Sequence, residues 1–280
     1  MSQFKQFSFK KFGYLKLQGI ETDLSVTETL KDFIKVVFLK RGAEVMVDFK
    51  NYNLEQDSLF FVNAGQFFQL NEVISLGSIL YYNRDFYCVE MHDKEVACDG
   101  ILFHNVYEIP VVNLSNEQSV VIEKIFNEIQ SEVIAEDSNL EEMLRVLLKQ
   151  IIIKSTRIWK NTHEVHSDEN RQELEFIRKF SQLVEWNFTT KHTVAAYADL
   201  LNITPKLLNK RITKFSKDTP NDLIKQRIVL EAQRMLAHTG LSVKEIGYKL
   251  GYEDPSYFIR LFTKQTGSAP QQFRKQYTTL

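Results

Sequence analysis

Two short stretches near the C-terminal end carry polar and cationic side chains at helical spacing. The outward positions are Lys206, Leu207, Asn209 and Lys210 in the first stretch and Ser256, Ile259, Arg260 and Lys264 in the second. An arginine can form paired hydrogen bonds to a guanine edge, whereas a lysine more often meets a phosphate as a point charge. These residue types predict contact with the major groove of double-stranded DNA.

Each stretch lies on the second helix of a predicted two-helix unit. In the later unit, Ser242 and Glu245 form a capping-box pattern that opens a helix of about two turns. Gly251 stands where the chain must leave that helix, and Asp254 with Pro255 opens the next one. The predicted inward side chains are Val243, Ile246 and Leu250, then Tyr252 in the turn, then Phe258, Leu261 and Phe262. Gly267 ends the second helix.

The same layout occurs earlier in the chain. Thr193 opens a helix, Asn202 and Ile203 make the turn, and Thr204 with Pro205 opens a second helix. The predicted inward side chains are Val194, Tyr197, Leu201, Leu208, Ile212 and Phe215. Equivalent positions lie 49 residues apart before the turn and 50 after it, so one residue in the turn separates the two copies. A long helix over about 221–238 joins them, which predicts a pair of helix-turn-helix motifs.

Charge is distributed unevenly along the chain. Residues 181–280 hold 15 Lys and Arg against 8 Asp and Glu, a net charge of +7. Subtraction from the totals of 35 and 36 leaves 20 against 28, a net charge of −8, for residues 1–180. A basic module joined to an acidic body is the arrangement expected when one module meets a polyanion. Chance variation could also produce the uneven charge, and any two-helix corner has a charged side that faces solvent. The repeat of the two units at fixed spacing favours DNA binding over these alternatives.

The N-terminal part predicts a strand-rich domain. Short runs rich in β-branched and aromatic residues cover 33–40, 43–49, 58–62, 77–81, 85–91 and 101–109. Their close spacing predicts an antiparallel sandwich or barrel, so the whole chain is expected to be α+β. Several aromatics could line an effector pocket, although most are expected to be core: Phe60, Phe61, Phe67, Phe68, Tyr81, Tyr82, Phe86 and Tyr87.

Two helices are predicted to follow the strands. A Ser115–Gln118 capping box opens the first, with apolar positions at Val120, Val121, Ile125, Ile129 and Val133. A Ser138–Glu141 capping box opens the second, with a stripe of Leu140, Met143, Leu144, Leu147, Leu148, Ile151 and Ile152. This stripe needs a partner, which is its own sheet, a neighbouring helix or a second chain. The polar residues that follow predict a linker over 161–170, between domains at 1–160 and 171–280.

The later helix-turn-helix unit resembles the AraC/XylS family of bacterial transcription regulators. The segment IGYKLGYEDPSYFIRLFTKQTG (246–267), continuing to residue 274, carries most of the resemblance, which covers roughly 180–277. The earlier unit departs from the family pattern at Leu207, Lys210 and Lys217. The resemblance implies a seven-helix DNA-binding domain whose two recognition helices enter successive major-groove segments through the outward residues named above.

The same resemblance extends more weakly to the N-terminal part. It implies a cupin-like sandwich followed by helices that dimerise, with residues 57–70, including Gly65 and Gln66, at a turn of the sandwich. It also implies activation of transcription and RNA polymerase as a partner. We therefore expect a sequence-specific DNA-binding transcription regulator, activating in response to a small-molecule effector. The alternatives are a sandwich that only dimerises, or a cupin enzyme with a DNA-binding appendage.

No pattern in the sequence predicts catalysis, a cofactor or a metal site. His92 and His104 stand apart, His163 and His166 lack further ligands, and two cysteines, Cys88 and Cys98, are too few for a four-thiolate zinc site. The chain is therefore expected not to be an enzyme. The first residues lack a signal peptide, and no apolar run approaches a membrane span, so a cytoplasmic location away from membranes is expected.

Overall fold

The computed structural model describes residues 2–18, 30–70, 75–87, 102–103, 111–134, 138–162, 168–216 and 218–277. The described residues divide into two compact units, one up to residue 162 and one from residue 168. Helices end at Thr162 and begin again at Asp168, inside the stretch expected to be a linker. The domain limits at 160 and 171 stay predictions.

The first unit contains two antiparallel sheets. The strands are β1 (Ser2–Phe7), β2 (Lys10–Gln18), β3 (Ile34–Leu39), β4 (Glu44–Val47), β5 (Lys50–Asn53), β6 (Ser58–Val62), β7 (Phe68–Leu70), β8 (Leu76–Tyr82) and β9 (Val111–Asn113). Six of them form one sheet in the order β1-β2-β8-β3-β6-β9, and three form the other in the order β5-β4-β7. With the helices of the second unit, this confirms the expected α+β fold.

The six-stranded sheet is buried on both faces because alternate side chains of its strands enter different clusters. On β3, Val36 and Phe38 pack in the cluster that includes the two following helices. Val37 and Leu39 point the other way and pack against residues of the three-stranded sheet. The sheet is therefore the middle layer of the first unit.

Helix α1 (Asn116–Ile134) begins with the predicted capping box. The Ser115 N–H donates to Gln118 Oε1 at 2.9 Å, and the Gln118 N–H donates to Ser115 Oγ at 3.3 Å. The predicted stripe is wrong at its start, because Val120 and Val121 are 54% and 42% exposed. Ser119 and Ile122 take the inward positions instead, because the buried face of the helix is the one that meets the sheet.

Helix α2 (Leu140–Thr162) begins one residue later than a Ser138–Glu141 capping box predicts, since the Met143 N–H donates to the Asn139 carbonyl at 3.0 Å. Glu141 accepts from Lys10 Nζ at 2.8 Å and pairs with Arg145. The predicted stripe is buried except at Met143, and it packs in the same cluster as the six-stranded sheet and α1. Its partner surface therefore lies within the first unit.

The strand predictions are incomplete. Residues 2–18 form two strands that were not predicted, and neither were the short strands β5, β7 and β9. Residues 84–86 form a turn in which Phe86 is buried, so the strand predicted over 85–91 is wrong at its start, and its remainder lies outside the described residues. Most of the strand predicted over 101–109 also lies outside them. All eight aromatics considered for a pocket are buried, as expected for core residues.

The described part of the second unit contains seven helices. They are α3 (Asp168–Asn187), α4 (Val194–Leu200), α5 (Pro205–Phe215), α6 (Pro220–His238), α7 (Val243–Lys249), α8 (Pro255–Thr266) and α9 (Pro270–Tyr277). The joining helix α6 buries Leu223, Ile224, Ile228 and Leu236. Across the described ranges, no helix is both long enough and apolar enough to cross a membrane.

Candidate nucleic-acid interface

The two helix-turn-helix units make their turns with the same backbone conformation. Asn202 follows α4 with φ of 53°, and Gly251 follows α7 with φ of 82°. These are left-handed values, which asparagine tolerates and glycine adopts without a steric cost. The two residues are 49 positions apart, so the sequence repeat is also a repeat of turn geometry.

The hydrogen bonds that close the turns repeat as well. Each is donated by the residue after the left-handed position to a carbonyl five residues earlier: Ile203 N–H to Ala198 O and Tyr252 N–H to Gly247 O, both 3.0 Å. This is the closure expected after a helix that ends in a left-handed residue. It fixes the direction in which the chain enters the second helix of each unit.

Both second helices begin with the predicted caps. Thr204 Oγ1 accepts from the Leu207 N–H at 3.2 Å, and Asp254 Oδ1 accepts from the Ser256 N–H at 2.8 Å. A proline follows each cap at the first helical position. The hydrogen bond from the Ser256 N–H holds the pKa of the Asp254 carboxyl below its ordinary value. The Asp254 carboxylate is therefore ionised near neutral pH, and its negative charge interacts favourably with the positive N-terminal end of α8.

The inner side of α8 is packed tightly on α7. Phe258 and Phe262 are fully buried, as are Ile246 and Leu250 on the other helix. A Cβ added to Gly247 would lie 3.3 Å from the Phe258 ring, so a small residue allows the close approach. This packing turns the opposite side of α8 toward solvent.

The earlier unit is held in the same way. Leu208 and Ile212 of α5 are buried, and Tyr197 of α4 is fully buried against Phe180 of α3, with ring centroids 5.8 Å apart. Arg211 ties α5 to α3, because its Nε donates to Glu173 Oε2 at 2.9 Å. The side chain of Phe215, predicted inward, lies outside the described residues.

The outer sides carry the residues predicted to contact DNA. Exposed side chains are Lys206, Leu207 and Lys210 on α5 and Ser256, Ile259, Arg260 and Lys264 on α8. Asn209 differs, because it is half-buried and its Nδ2 donates to the Pro205 carbonyl at 2.9 Å. The structure thus places four of these residues on one helix and four on the other. Their contact with DNA stays a prediction.

Two further residues lie on these outer sides and were not singled out from the sequence. Lys214 is exposed on α5 and is the 50-residue counterpart of Lys264. Tyr257 is half exposed on α8 and is the counterpart of Leu207. Applying the repeat spacing to every outward position would have found both.

A buried arginine connects the helices behind the two motifs. Arg227 of α6 is 4% exposed, and its guanidinium donates to both carboxylate oxygens of Glu185 on α3. It also pairs with Glu231 at 2.9 Å and lies 4.0 Å from the centroid of the Phe188 ring. The helix that joins the two units is thereby fixed to the helix that precedes them.

The histidines and cysteines weighed as metal ligands lie outside the described residues: they are His92, His104, His163, His166, Cys88 and Cys98. Lys217, where the earlier unit departs from the family pattern, also lies outside them. Among the residues that are described, no group of three or more histidine, cysteine or acidic side chains lies close enough to hold a metal ion.

Known proteins are similar to the helix-turn-helix part of this chain, and some of them are similar to most of the chain. A family model described as a helix-turn-helix domain matches residues 197–276. The HTH-type transcriptional activator RhaR of Enterobacter sp. (strain 638) is 21% identical over 250 residues, which cover 88% of this chain and 86% of that protein. Histidine kinase P4 of Formosa agariphila is 24% identical over 180 residues, 61% of this chain but 13% of the kinase.

A solved structure, ToxT of Vibrio cholerae O395, is similar over 100% of this chain and 98% of its own, with 15% identity and a TM-score of 0.45. The helix-turn-helix match at residues 197–276 begins within α4 and contains both turns described above. The helix-turn-helix match agrees with the two motifs that the structure shows: residues 197–276 of this chain form a helix-turn-helix domain, as the resemblance to the AraC/XylS family implied.

Proposed function

We propose that this protein is a sequence-specific DNA-binding transcription regulator that places α5 and α8 in the major groove. The observation that carries the proposal is the repeat of turn geometry, helix caps and exposed outer side in two units of one chain. A recognition helix must be anchored on one side and present polar and cationic groups on the other, and both helices meet that requirement. The RhaR relative, an activator by name, supports an activating rather than an enzymatic role.

Within this proposal the outward residues divide by chemistry. Arg260 is the reader of a guanine edge, because its planar fork can donate two parallel hydrogen bonds to guanine. Lys206, Lys210 and Lys264 meet phosphates, which gives affinity without sequence information. Leu207, Asn209, Ser256 and Ile259 complete the contact surface.

A binding experiment with two arginine variants tests the proposal. A duplex selected from a random library by the full-length protein is labelled, and its dissociation constant is measured at several salt concentrations. Arg260→Ala should weaken binding to the selected duplex by about 5- to 150-fold, while binding to a scrambled duplex changes far less. The matched control is Arg157→Ala, an exposed arginine of α2, which should bind as the wild type does. Failure to enrich any sequence would refute the function itself.

We further propose that the first unit dimerises through its helices. The support is a set of apolar side chains that α1 and α2 leave exposed: Val120, Val121, Ile134, Met143 and Val146. A charged residue introduced into an apolar dimer contact buries an unpaired charge, which should dissociate the dimer. Val146→Glu is therefore expected to halve the mass measured by light scattering, whereas Glu142→Gln, also exposed on α2, should leave it unchanged.

We also propose that a small-molecule effector binds the sandwich and shifts the affinity of the protein for DNA or its contact with RNA polymerase. The support is a polar anchor inside it. The Lys35 side chain is 1% exposed between the two sheets, and its Nζ donates to the carbonyls of Leu30 and Phe33 at 2.9 and 2.8 Å. Thermal unfolding against a metabolite panel tests this, since a ligand that binds the folded state raises the melting temperature. A panel with no stabilising member would favour a purely dimerising domain.

Because a DNA-binding regulator acts at the chromosome, we propose a cytoplasmic location.

A further inference from the structure

The outer side of α8 exposes an aliphatic side chain between polar ones. Ile259 is 38% exposed, directly before Arg260 and about one turn after Ser256. Its counterpart on α5, 50 residues earlier, is Asn209, whose amide is bonded back to the Pro205 carbonyl. The two helices therefore differ in chemistry at the same outward position.

An aliphatic group at this position suits one feature of the major groove. Most groups that base pairs present there are hydrogen-bond donors or acceptors, and covering them with an isoleucine would remove their water without replacing the hydrogen bonds. The C5-methyl group of thymine is the apolar exception among the four bases. Packing the two together removes apolar surface from water on both partners.

The side chain is also well fixed for such a contact. Phe258, the residue before Ile259, is fully buried and anchors this turn of the helix. The β-branched side chain of an isoleucine in a helix is restricted to essentially one χ1 rotamer. Little conformational freedom is therefore left for binding to remove.

We infer that Ile259 is a specificity residue that selects thymine by packing against its C5-methyl group, beside the base read by Arg260. This inference rests on the proposed DNA-binding function. It makes α8 the more discriminating of the two recognition helices, because α5 presents lysines and a tethered asparagine at the corresponding positions.

The inference is tested by removing single methyl groups from the DNA. In the duplex selected by the full-length protein, each thymine is replaced in turn by deoxyuridine, which lacks only the C5-methyl group, and dissociation constants are measured by fluorescence anisotropy. For the wild type, one replacement should weaken binding by about four-fold, the value of one buried methyl-sized group. Ile259→Ala should bind the thymine duplex about as weakly and should not distinguish thymine from deoxyuridine at that position.

Two control variants separate this contact from general effects. Ile259→Val keeps the branched methyl groups and should retain most of the sensitivity to the methyl group. Lys264→Ala should weaken binding to both duplexes by the same factor and keep their ratio. A wild type indifferent to every replacement, or an Ile259→Ala protein that retains the same sensitivity, would overturn the inference while sequence-specific binding itself stands. If no sequence is enriched, the proposed function has failed and not this contact alone.

Discussion

A Cβ atom built on Gly251 would lie 2.0 Å from the carbonyl oxygen of Thr189. The turn of the later helix-turn-helix unit thus lies directly against the segment that follows α3. His192 of the same segment stacks on Tyr252, with ring centroids 4.6 Å apart. The later unit is therefore seated on the part of the chain that leads into the earlier one.

Gly251→Ala is expected to destabilise the second unit by more than about 2 kcal/mol, because a left-handed backbone and a steric clash act together. Gly240→Ala is the matched control, since nothing lies within 4 Å of its Cβ position, and it should change stability little. The chain has two tryptophans, Trp159 in α2 and Trp186 in α3. Urea unfolding followed by Trp186 fluorescence in a Trp159→Phe background measures the effect. Equal stability of the two glycine variants would contradict the close approach.

Replacement of Arg227 should weaken the link between α6 and α3. Arg227→Met is expected to cost about 3 kcal/mol, the low end for breaking a buried pair, because Glu185 keeps 40% of its side chain in water. Arg227→Lys should also destabilise, since a lysine cannot form the two-pronged contact with Glu185 or stack in the same way on Phe188. The same Trp186 fluorescence assay applies. A lysine variant as stable as the wild type would show that charge alone suffices.

The lysines of α5 should act through the salt dependence of DNA binding. Lys206→Ala and Lys210→Ala are each expected to reduce the slope of log affinity against log salt by about 0.9, with little change in sequence preference. Leu207→Ala, on the same exposed side, should leave the slope unchanged. Titrations over a range of potassium chloride concentrations give the slopes. A lysine variant that changes sequence preference and keeps the slope would make that lysine a base reader.

Lys35 should make the stability of the first unit depend on pH. Burial lowers the pKa of its amino group to about 7, below the ordinary value of 10.5. Between these two values the unfolded chain binds more protons than the folded one, so stability should rise with pH, by up to ~1.4 kcal/mol per pH unit. Below pH 7 both states are protonated and this contribution is constant. Urea unfolding of the wild type and of Lys35→Met at pH 6, 7, 8 and 9 tests this prediction. The free energy of unfolding of the wild type should rise relative to that of the variant only above about pH 7. Parallel curves would contradict the lowered pKa.

The helix-turn-helix units were predictable because their signals are local. Ser242, Asp254 and Gly267 stand at the ends of helices, where side-chain oxygens and a left-handed glycine satisfy backbone groups, and the structure places each of them there. The repeat at 49 and 50 residues then gave both the order of the helices and their outward sides. Lys214 and Tyr257 needed only the same spacing carried further.

The first unit was less predictable because its order comes from distant pairing. Strand β2 is buried on both faces, so it lacks the alternation that identifies a strand. One of its two partner strands is the neighbouring β1, but the other, β8, pairs with it over separations of 58 residues (Gln18 with Leu76) to 70 residues (Phe12 with Tyr82). Val120 and Val121 looked inward by periodicity, but the position of the sheet decides which face of α1 is covered. The burial of Lys35 depends on hydrogen bonds to the backbone carbonyls of Leu30 and Phe33. The position of a backbone carbonyl cannot be predicted from the type of its residue.

The single helix α6 joins the two helix-turn-helix units. Its 19 residues span about 28 Å, and the second helices of the two units, α5 and α8, expose different residues. If α5 and α8 bind DNA as proposed, one copy of the protein needs no inverted repeat, since it would meet two unlike half-sites in a fixed order. Such a site has a direction, so inverting it within a promoter would point the bound protein the other way along the gene.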